Sequence, residues 1–279
     1  MRIGSNDDWS ERFAGNQGKG ALSPELITRD LDTSIVGRNL VCRDRVGSTN
    51  DIAAGLAREG AQEGTVVVAE EQTCGRGRLG RRWRAPAGSS LLMSVVFYPS
   101  LLASQIQRVA MVCSLGVQRG IKIATGLAAQ LKWPNDIVIG GRKVAGLLAE
   151  AGVSGDHVNH VVVGVGLNVN LDPEGLEDVL LPATSLSQEL GRSVDRIAVL
   201  RSVLREMDRL YVRLTEGWSP KDAWASNLAT LGCRVTLTQG TAVLTGVAED
   251  VDENGVLLLR DPQGRVHRLP IGDVTSHHP

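Results

Sequence analysis

The chain has few aromatic side chains, no closely spaced cysteines and no long apolar run. It contains five Trp, two Tyr and two Phe among 279 residues. Its four cysteines, Cys42, Cys74, Cys113 and Cys233, form no CxxC pair, which argues against a zinc site and against a secreted disulfide framework. No apolar run approaches the ~20 residues that span a bilayer, and the polar segment 1–20 lacks the apolar core of a secretory signal. These absences predict a cytoplasmic protein with reduced thiols.

The chain also lacks an excess of either charge. The formal net charge is −1, with 42% hydrophobic and 22% charged residues, which is typical of an ordinary globular protein. Such a balance gives no overall attraction to nucleic acid or to an anionic membrane surface. We therefore predict no specific DNA partner and no membrane partner, and we expect any phosphate binding to come from a local cluster of basic residues.

The residue patterns divide the chain into a flexible polar extension (1–20), a large domain (21–230) and a small C-terminal domain (231–279). Helices are predicted over 24–31, 49–60, 105–124 and 195–214. Strands are predicted over 65–70, 91–98, 129–132, 137–150 (interrupted by a hairpin turn at Gly140-Gly141) and 157–170. Short alternating strands over 235–238, 242–248, 256–259 and 266–269 predict a small antiparallel barrel. Periodicity alone thus predicts an α/β protein with a basic, glycine-rich ligand loop.

The segment from Gly75 to Arg84, GRGRLGRRWR, carries the strongest functional signal. Its alternate glycines let backbone N–H groups approach a ligand closely. Its arginines supply permanently charged forks that match phosphate or carboxylate groups. Taken alone, the segment fits a ligand loop, a solvated arginine-rich loop or an RNA-binding tract equally well.

Three further motifs end or begin predicted strands. The first is KWPND at 132–136, in which a lysine, an amide and a carboxylate beside a rigid Trp-Pro corner suit a triphosphate and its Mg²⁺, although Pro-Asn-Asp is also good turn chemistry. The second, GRKVAGLL at 141–148, places Lys143 at a strand start and Gly146 inside the strand, where a close backbone approach is one explanation. The third is GVGLNVN at 164–170, a strand end of small and polar residues.

In this order the motifs resemble the biotin protein ligase family. The matching segments are STN at 48–50, EEQTCGRGRLGR at 70–81, KWPND, GRKVAGLL and GVGLNVN. The resemblance is strong from about 22 to 170 and weaker in the C-terminal part, where Gly272-Asp273-Val274 is similar to the family's closing motif. Cys74 departs from the small residue that the family pattern has there. The resemblance implies an α+β fold, with a mixed sheet flanked by helices and a small C-terminal SH3-like barrel.

The resemblance also implies an activity and its residues. The expected enzyme is an ATP- and Mg²⁺-dependent biotin–protein ligase, which converts biotin to biotinyl-5'-AMP and transfers it to a lysine of a biotin carboxyl carrier domain. The implied biotin site consists of Ser48, Thr49, Asn50, Gln72, Gly75, Arg76, Arg78, Lys143 and Gly146. The implied ATP site consists of Arg78, Arg81, Trp83, Lys132, Asn135 and Asn168. The expected catalytic residues are Lys143, Arg78 and Asp136, and Asp136 is also the expected metal ligand.

Three alternatives remain open at this point. A lipoate or other acyl-protein ligase shares the fold, but KWPND is absent from its pattern. A bifunctional ligase–repressor would need an N-terminal DNA-binding domain, and only about twenty residues precede the first predicted helix here, fewer than the ~50 of a small domain. A non-catalytic biotin-binding or RNA-binding module is the third. An edge strand of the sheet offers a route to a homodimer, and the residues do not choose between dimer and monomer.

Overall fold

The computed structural model describes residues 22–172, 182–239, 242–270 and 272–277. The predicted flexible extension at 1–20 lies outside the described residues. The helices are α1 (Pro24–Thr28), α2 (Thr49–Arg58), α3 (Gln107–Thr125), α4 (Leu186–Leu190), α5 (Arg196–Thr215) and α6 (Lys221–Ala225). None of these helices is both long enough and apolar enough to span a membrane.

Twelve strands over the described residues form two sheets. The first seven are β1 (Leu40–Val46), β2 (Val66–Gln72), β3 (Ser90–Phe97), β4 (Gln130–Lys132), β5 (Asp136–Ile139), β6 (Arg142–Ser154) and β7 (His157–Asn168). They make one sheet in the order β1-β2-β3-β7-β6-β5-β4, in which only β1 and β2 pair in parallel. This mixed sheet with flanking helices confirms the predicted α+β fold class.

The second sheet is antiparallel and lies in the C-terminal part of the chain. It consists of β8 (Arg234–Gln239), β9 (Ala242–Val251), β10 (Leu257–Arg260), β11 (Val266–Leu269) and β12 (Asp273–His277) in the order β11-β10-β9-β8-β12. Four of these strands were expected from the alternating pattern, and β12 extends the Gly272-Asp273-Val274 motif. The domain boundaries at 20/21 and 230/231 remain predictions.

Two long helices cover one face of the seven-stranded sheet. The α5 helix begins where the Asp195 carboxylate accepts hydrogen bonds from the backbone N–H groups of residues 197 and 198, at 2.8 and 3.3 Å. It packs closely against α3 because Gly116 and Gly120 carry no side chain, and a Cβ at either position would lie 2.6 Å from Met207 or Val203. Their contact places the apolar core between these helices and the sheet.

The short α2 helix covers the opposite face. Its first turn follows Ser48, whose backbone is extended, and contains Asp51, where a negative charge favours the helix dipole. Ala53 and Ala57 on its inner face pack in a small apolar cluster with Val67, Val96 and Val162. The cluster fixes the C-terminal half of α2 on the sheet and leaves its N-terminal residues above the middle of β3 and β7.

Four elements are absent from the sequence predictions: β1, β12, α4 and α6. The edge strand β1 reads LVCRDRV, and its half-exposed position lets charged residues occupy it, so its apolar pattern is weak. The helices α4 and α6 are only five residues long, too short to show a helical period. The predicted helix over 24–31 is also shorter than expected, since it ends at Thr28, and Asp30 adopts a left-handed backbone conformation (φ 60°).

Candidate active site

A cavity of about 650 Å³ opens where the α2 face of the sheet meets the arginine loop and the C-terminal sheet. Every sequence-predicted site residue except Gly75 contributes to its wall. Residues of the C-terminal sheet, Thr238 and 273–275, close one side of it. The fold therefore gathers the separate sequence motifs around one space.

Three glycines form the floor of this cavity. Gly166 on β7 pairs with Gly146 on β6, and Gly164 is two residues further back on β7, so all three face the cavity. A Cβ at Gly166 would lie 2.3 Å from the Trp83 ring, and one at Gly146 would lie 3.1 Å from it. A Cβ at Gly164 would lie 2.2 Å from Oδ1 of Asn50. The missing side chains let the Trp83 ring lie on the backbone of Gly146 and Gly166, and let the Asn50 side chain lie on that of Gly164.

Buried polar groups at the start of α2 line one end of the cavity. Ser48, Thr49 and Asn50 are each less than 5% exposed. The Thr49 backbone N–H and hydroxyl both donate to Oε1 of Gln72, at 2.7 and 3.0 Å. Gly75 lies behind Gln72, where any Cβ would meet the Trp83 carbonyl oxygen at 2.4 Å. These residues come from α2, β2 and the loop, and their contacts hold these three elements together.

The arginine loop, residues 75–84, closes on itself by backbone hydrogen bonds. The Gly77 N–H donates to the Arg81 carbonyl at 2.7 Å, and the Trp83 N–H donates to the Gly75 carbonyl at 2.9 Å. Leu79, at its tip, has a left-handed backbone conformation (φ 56°) and is 61% exposed. The loop is thus a narrow hairpin that lies over the cavity.

Two arginines of the loop contact residues outside it, in the KWPND motif and in the C-terminal part of the chain. Arg78 donates to Oδ1 of Asn135 at 3.3 Å and to the Gly272 carbonyl at 3.4 Å. Burial lowers the pKa of the Arg78 guanidinium from its ordinary value, and a guanidinium remains charged at neutral pH even so. Arg81 pairs with Asp273 of the C-terminal sheet. Through these contacts the loop connects the cavity to β12.

The other end of the cavity carries two lysines and one aspartate. Lys143 Nζ lies 2.6 Å from Oδ1 of Asp136 and 5.5 Å from the centre of the Trp83 ring. Lys132 is the cross-strand partner of Asp136, and burial lowers the pKa of Lys132, an effect that Asp136 opposes. Asn135 donates to the Leu147 carbonyl at 2.6 Å. Concentrated positive charge beside one carboxylate suits a polyphosphate.

Two buried polar atoms in this region have no protein partner among the described residues. One is Nε1 of Trp83, a hydrogen-bond donor, and the other is Oδ1 of Asn168, an acceptor. Asn168 is 3% exposed, and its Nδ2 donates to the Thr184 carbonyl at 3.0 Å. Because unpaired buried polar atoms are rare and costly, the Asn168 oxygen is a candidate acceptor for a ligand N–H.

Over the described ranges no group of three or more His, Cys, Asp or Glu side chains is placed to hold a metal ion. Asp136, the predicted metal ligand, is a single carboxylate in contact with Lys143. A divalent ion at this position would need most of its ligands from phosphate oxygens and water, which is the usual arrangement for Mg²⁺.

Sequence reasoning missed two residues at the biotin-predicted end. Ser94 on β3 is fully buried, and its hydroxyl lies 2.7 Å from Oγ1 of Thr49 and 2.6 Å from Oδ1 of Asn50. Glu150 on β6 accepts a hydrogen bond from Asn50 and pairs with Arg76. The available signal was a polar residue inside an apolar run, SLLMSVVF for Ser94 and AGLLAEAG for Glu150.

The chain is similar to known proteins over most of its length. Residues 43–168 match the model of the biotin/lipoate A/B protein ligase family, and residues 230–275 match that of the biotin protein ligase C-terminal domain. A biotin–[acetyl-CoA-carboxylase] ligase of Paracoccus denitrificans is 37% identical, over 79% of this chain and 94% of that protein. The chain belongs to the biotin protein ligase family.

Two further relatives of this ligase family illustrate its range. The bifunctional ligase/repressor of Bacillus subtilis is 36% identical, over 88% of this chain and 76% of that protein. The structure of a biotin protein ligase from Aquifex aeolicus in complex with biotin and ATP superposes with a TM-score of 0.73 at 30% identity. The superposition covers 87% of this chain and 100% of that one.

Proposed function

We propose that the chain activates biotin with ATP to biotinyl-5'-AMP and transfers the biotinyl group to a lysine of a biotin carboxyl carrier domain. The observation that carries the proposal is the single glycine-floored cavity with buried neutral polar groups at one end and Lys143, Arg78 and Lys132 at the other. This polarity matches a ligand with an uncharged ring, a central acyl-phosphate and a nucleotide.

The end of the cavity at the start of α2 is proposed to hold the biotin rings. A ureido group offers N–H donors and a carbonyl acceptor, and the polar groups of Ser48, Thr49, Asn50, Gln72 and Arg76 surround this end. The Trp83 ring, which lies on the backbone of Gly146 and Gly166, would flank the fused rings, and Gly75 lets the loop approach Gln72. An acid without a ureido group, such as lipoate, would leave these buried polar groups unpaired, so the site would discriminate strongly against it.

The charged end is proposed to hold ATP. Arg78 and Arg81 would contact the phosphates from the loop, with Lys132 and Asn135 on the opposite side, and Trp83 would pack against the bound adenylate. Oδ1 of Asn168 would accept a hydrogen bond from the adenine amino group, since that oxygen has no partner among the residues that the structure describes. ATP would enter as its magnesium complex, with Asp136 as one carboxylate near the ion; the ion when bound offsets phosphate charge.

In the first step the biotin carboxylate attacks the α-phosphorus of ATP, and the bond to pyrophosphate breaks. The carboxylate needs no base, because it is already deprotonated. The obstacle is repulsion between two anions, ~4 kcal/mol for unit charges 4 Å apart at the dielectric of a protein surface. Lys143 and Arg78 are proposed to neutralise the carboxylate and the α-phosphate, and the loop would exclude water from the mixed anhydride that forms.

In the second step the acceptor lysine amine attacks the anhydride carbonyl, an amide bond forms, and AMP leaves. A lysine has an ordinary pKa of ~10.4, so its ammonium must lose a proton before attack. Asp136 is the carboxylate nearest to Lys143 in the cavity wall, and we propose it as the acceptor of that proton.

Two further expectations concern the cellular location and the oligomeric state. The cytoplasmic location stays a prediction from the sequence. The edge strand β1 offers a surface on which two copies could form a homodimer, and sedimentation velocity measures whether they do.

The test uses the purified chain, a carrier domain, Mg·ATP and either biotin or lipoate, with the intact mass of the carrier as the readout. We expect a biotin-sized increment on one lysine that requires ATP and does not appear with lipoate. An increment with lipoate alone would reassign the substrate. No increment with either acid, on a carrier that another ligase modifies, would favour a binding module.

A further inference from the structure

Asn50 is held in one orientation at the start of α2. Its amide Nδ2 donates to Oε2 of Glu150 at 2.6 Å, and its Oδ1 accepts a hydrogen bond from the Ser94 hydroxyl at 2.6 Å. The side chain lies directly over Gly164, where no Cβ could fit. Asn50 is 4% exposed and Ser94 is fully buried, so their contact is made in a nearly dry environment, in which hydrogen bonds are strong and unpaired groups are costly, whereas the Glu150 side chain is 42% exposed.

The same carboxylate holds the arginine loop. Both oxygens of Glu150 accept from the Arg76 guanidinium, at 3.0 and 3.1 Å, and Asp51 pairs with the other guanidinium nitrogen at 2.7 Å. Glu150 thus connects an amide at the start of α2 with a guanidinium in the loop, although it belongs to β6, a third element. No other carboxylate among the described residues pairs with Arg76 and contacts Asn50.

Glu150 also fixes which atoms of the site donate and which accept. A carboxylate only accepts hydrogen bonds, so Asn50 must direct its NH₂ group toward Glu150 and its oxygen toward Ser94. The backbone N–H of the neighbouring residue, Thr49, only donates, so Gln72 must direct its oxygen toward Thr49. These contacts fix the orientations of the Asn50 and Gln72 side-chain amides, so the ring of the ligand meets a single pattern of donors and acceptors.

We propose that Glu150 is a positioning residue for biotin recognition, which orients Asn50 and Arg76 for the ring of the substrate without contacting the reacting atoms. The inference rests on the proposed function, because it names the residue that shapes the biotin end of that site. A neutral amide at this position would still accept from Asn50 but would direct an NH₂ group at Arg76, and only the long hydrogen bond from Asn50 Nδ2 to the Leu148 carbonyl, at 3.4 Å, would then favour one orientation of Asn50.

The experiment measures biotin-dependent pyrophosphate exchange in the full chain and compares Glu150→Gln with a matched control, Glu71→Gln. Glu71 lies on β2, is about as exposed as Glu150 and pairs with Arg45 at 3.4 Å, away from the cavity. We expect E150Q to raise the biotin KM about tenfold, and to leave the ATP KM and kcat within about twofold of wild type. E71Q should leave all three parameters unchanged.

A second variant, Ser94→Ala, tests the same chain of contacts without removing a charge. It should also raise the biotin KM selectively, by about threefold, because one buried hydrogen bond to Asn50 is lost. Equal losses in biotin KM, ATP KM and kcat, together with a lower melting temperature than E71Q, would assign Glu150 a structural role only. A wild-type biotin KM in E150Q would overturn the proposal. If the wild type itself shows no exchange, the proposed function fails instead.

Discussion

The face of the large sheet that lies under α2 has two ends with opposite chemistry. Under the C-terminal half of the helix, β3 and β7 present Val96 and Val162, which are at most 1% exposed and pack on Ala53. Two residues along the same strands, on the same face, they present Ser94 and Gly164. The backbone and the strand pairing continue unchanged from one end to the other.

This contrast shows how the fold separates stability from binding. The valine end excludes water and fixes α2, which stabilises the protein by the burial of apolar area. The glycine end gives up that stabilisation and instead carries backbone on which Trp83 and Asn50 lie, with oriented polar groups beside it. Substitutions at the two ends should therefore produce different phenotypes.

The largest effect is expected at the charged part of the cavity. Lys143→Ala and Arg78→Ala should retain the fold and lose about 100-fold or more in adenylation rate, the typical result of removing one electrostatic contact to a transition state. The measurement is biotin-dependent pyrophosphate exchange with circular dichroism as a fold check. Lys221→Ala is the matched control, because Lys221 is as exposed as Lys143 and pairs with Asp250 at 3.1 Å outside the cavity. A wild-type exchange rate in both cavity variants would contradict the roles proposed for Lys143 and Arg78.

The next effect is expected at the glycine floor. Gly166→Ala should raise the biotin KM about tenfold, since the new methyl group would meet the Trp83 ring at 2.3 Å and force it to move, a difference of about 1.4 kcal/mol in binding. Gly55→Ala in α2 is the control, where a Cβ would lie 3.9 Å from its nearest neighbour and helix propensity favours alanine. Steady-state kinetics with biotin as the varied substrate measure this KM, and an unchanged KM in G166A would show that the biotin site does not depend on the position of Trp83.

A smaller effect on activity, with a clear effect on stability, is expected at the valine end. Val162→Ala should lower the free energy of unfolding by about 2 kcal/mol through lost burial and a residual cavity. Its kcat and both KM values should stay within about twofold of wild type at a temperature where it is folded. Val153→Ala, at a position that is 52% exposed, should change stability by less than about 0.5 kcal/mol. A catalytic defect in V162A with normal stability would break the separation of the two ends.

The smallest effect concerns the thiols. Cys74 is exposed beside the loop, whereas burial raises the pKa of the Cys42 thiol to about 12. At pH 8 Cys42 is almost entirely protonated and should react slowly, because the thiolate is the nucleophile. Iodoacetamide should therefore modify Cys74 before Cys42, as read by peptide mass spectrometry, and biotin with ATP should slow the reaction at Cys74. Equal rates at both cysteines would contradict the burial of Cys42.

The sequence predicts the fold well where a strand or helix has one simple environment. The long helix α5 carries an Asp N-cap and a clear 3.6-residue period, and β2 and β3 are apolar runs, so their positions are evident. The edge strand β1 has an exposed side that accepts Arg43 and Arg45, so its pattern is lost among the charges. Its assignment depends on pairing with β2, a non-local contact that no local pattern contains.

The residues of the candidate site also differ in how clearly the sequence reveals them. Glycine-rich and charged motifs such as GRGRLGR and KWPND are visible in sequence because their composition is unusual, and the fold places them in one cavity. Ser94 and Glu150 are single polar residues in apolar strands. Their significance lies in the contacts of Asn50 and Arg76, which only the arrangement of α2, β3 and β6 creates.

A crystal structure of the chain with biotinyl-5'-AMP tests the central claim most directly. We predict the biotin rings beside Thr49 and Gln72 and next to the Trp83 ring, the phosphate within hydrogen-bonding distance of Lys143, and the adenine amino group on Oδ1 of Asn168. An adenylate bound elsewhere, or one bound in the cavity with its phosphate away from Lys143, would contradict it.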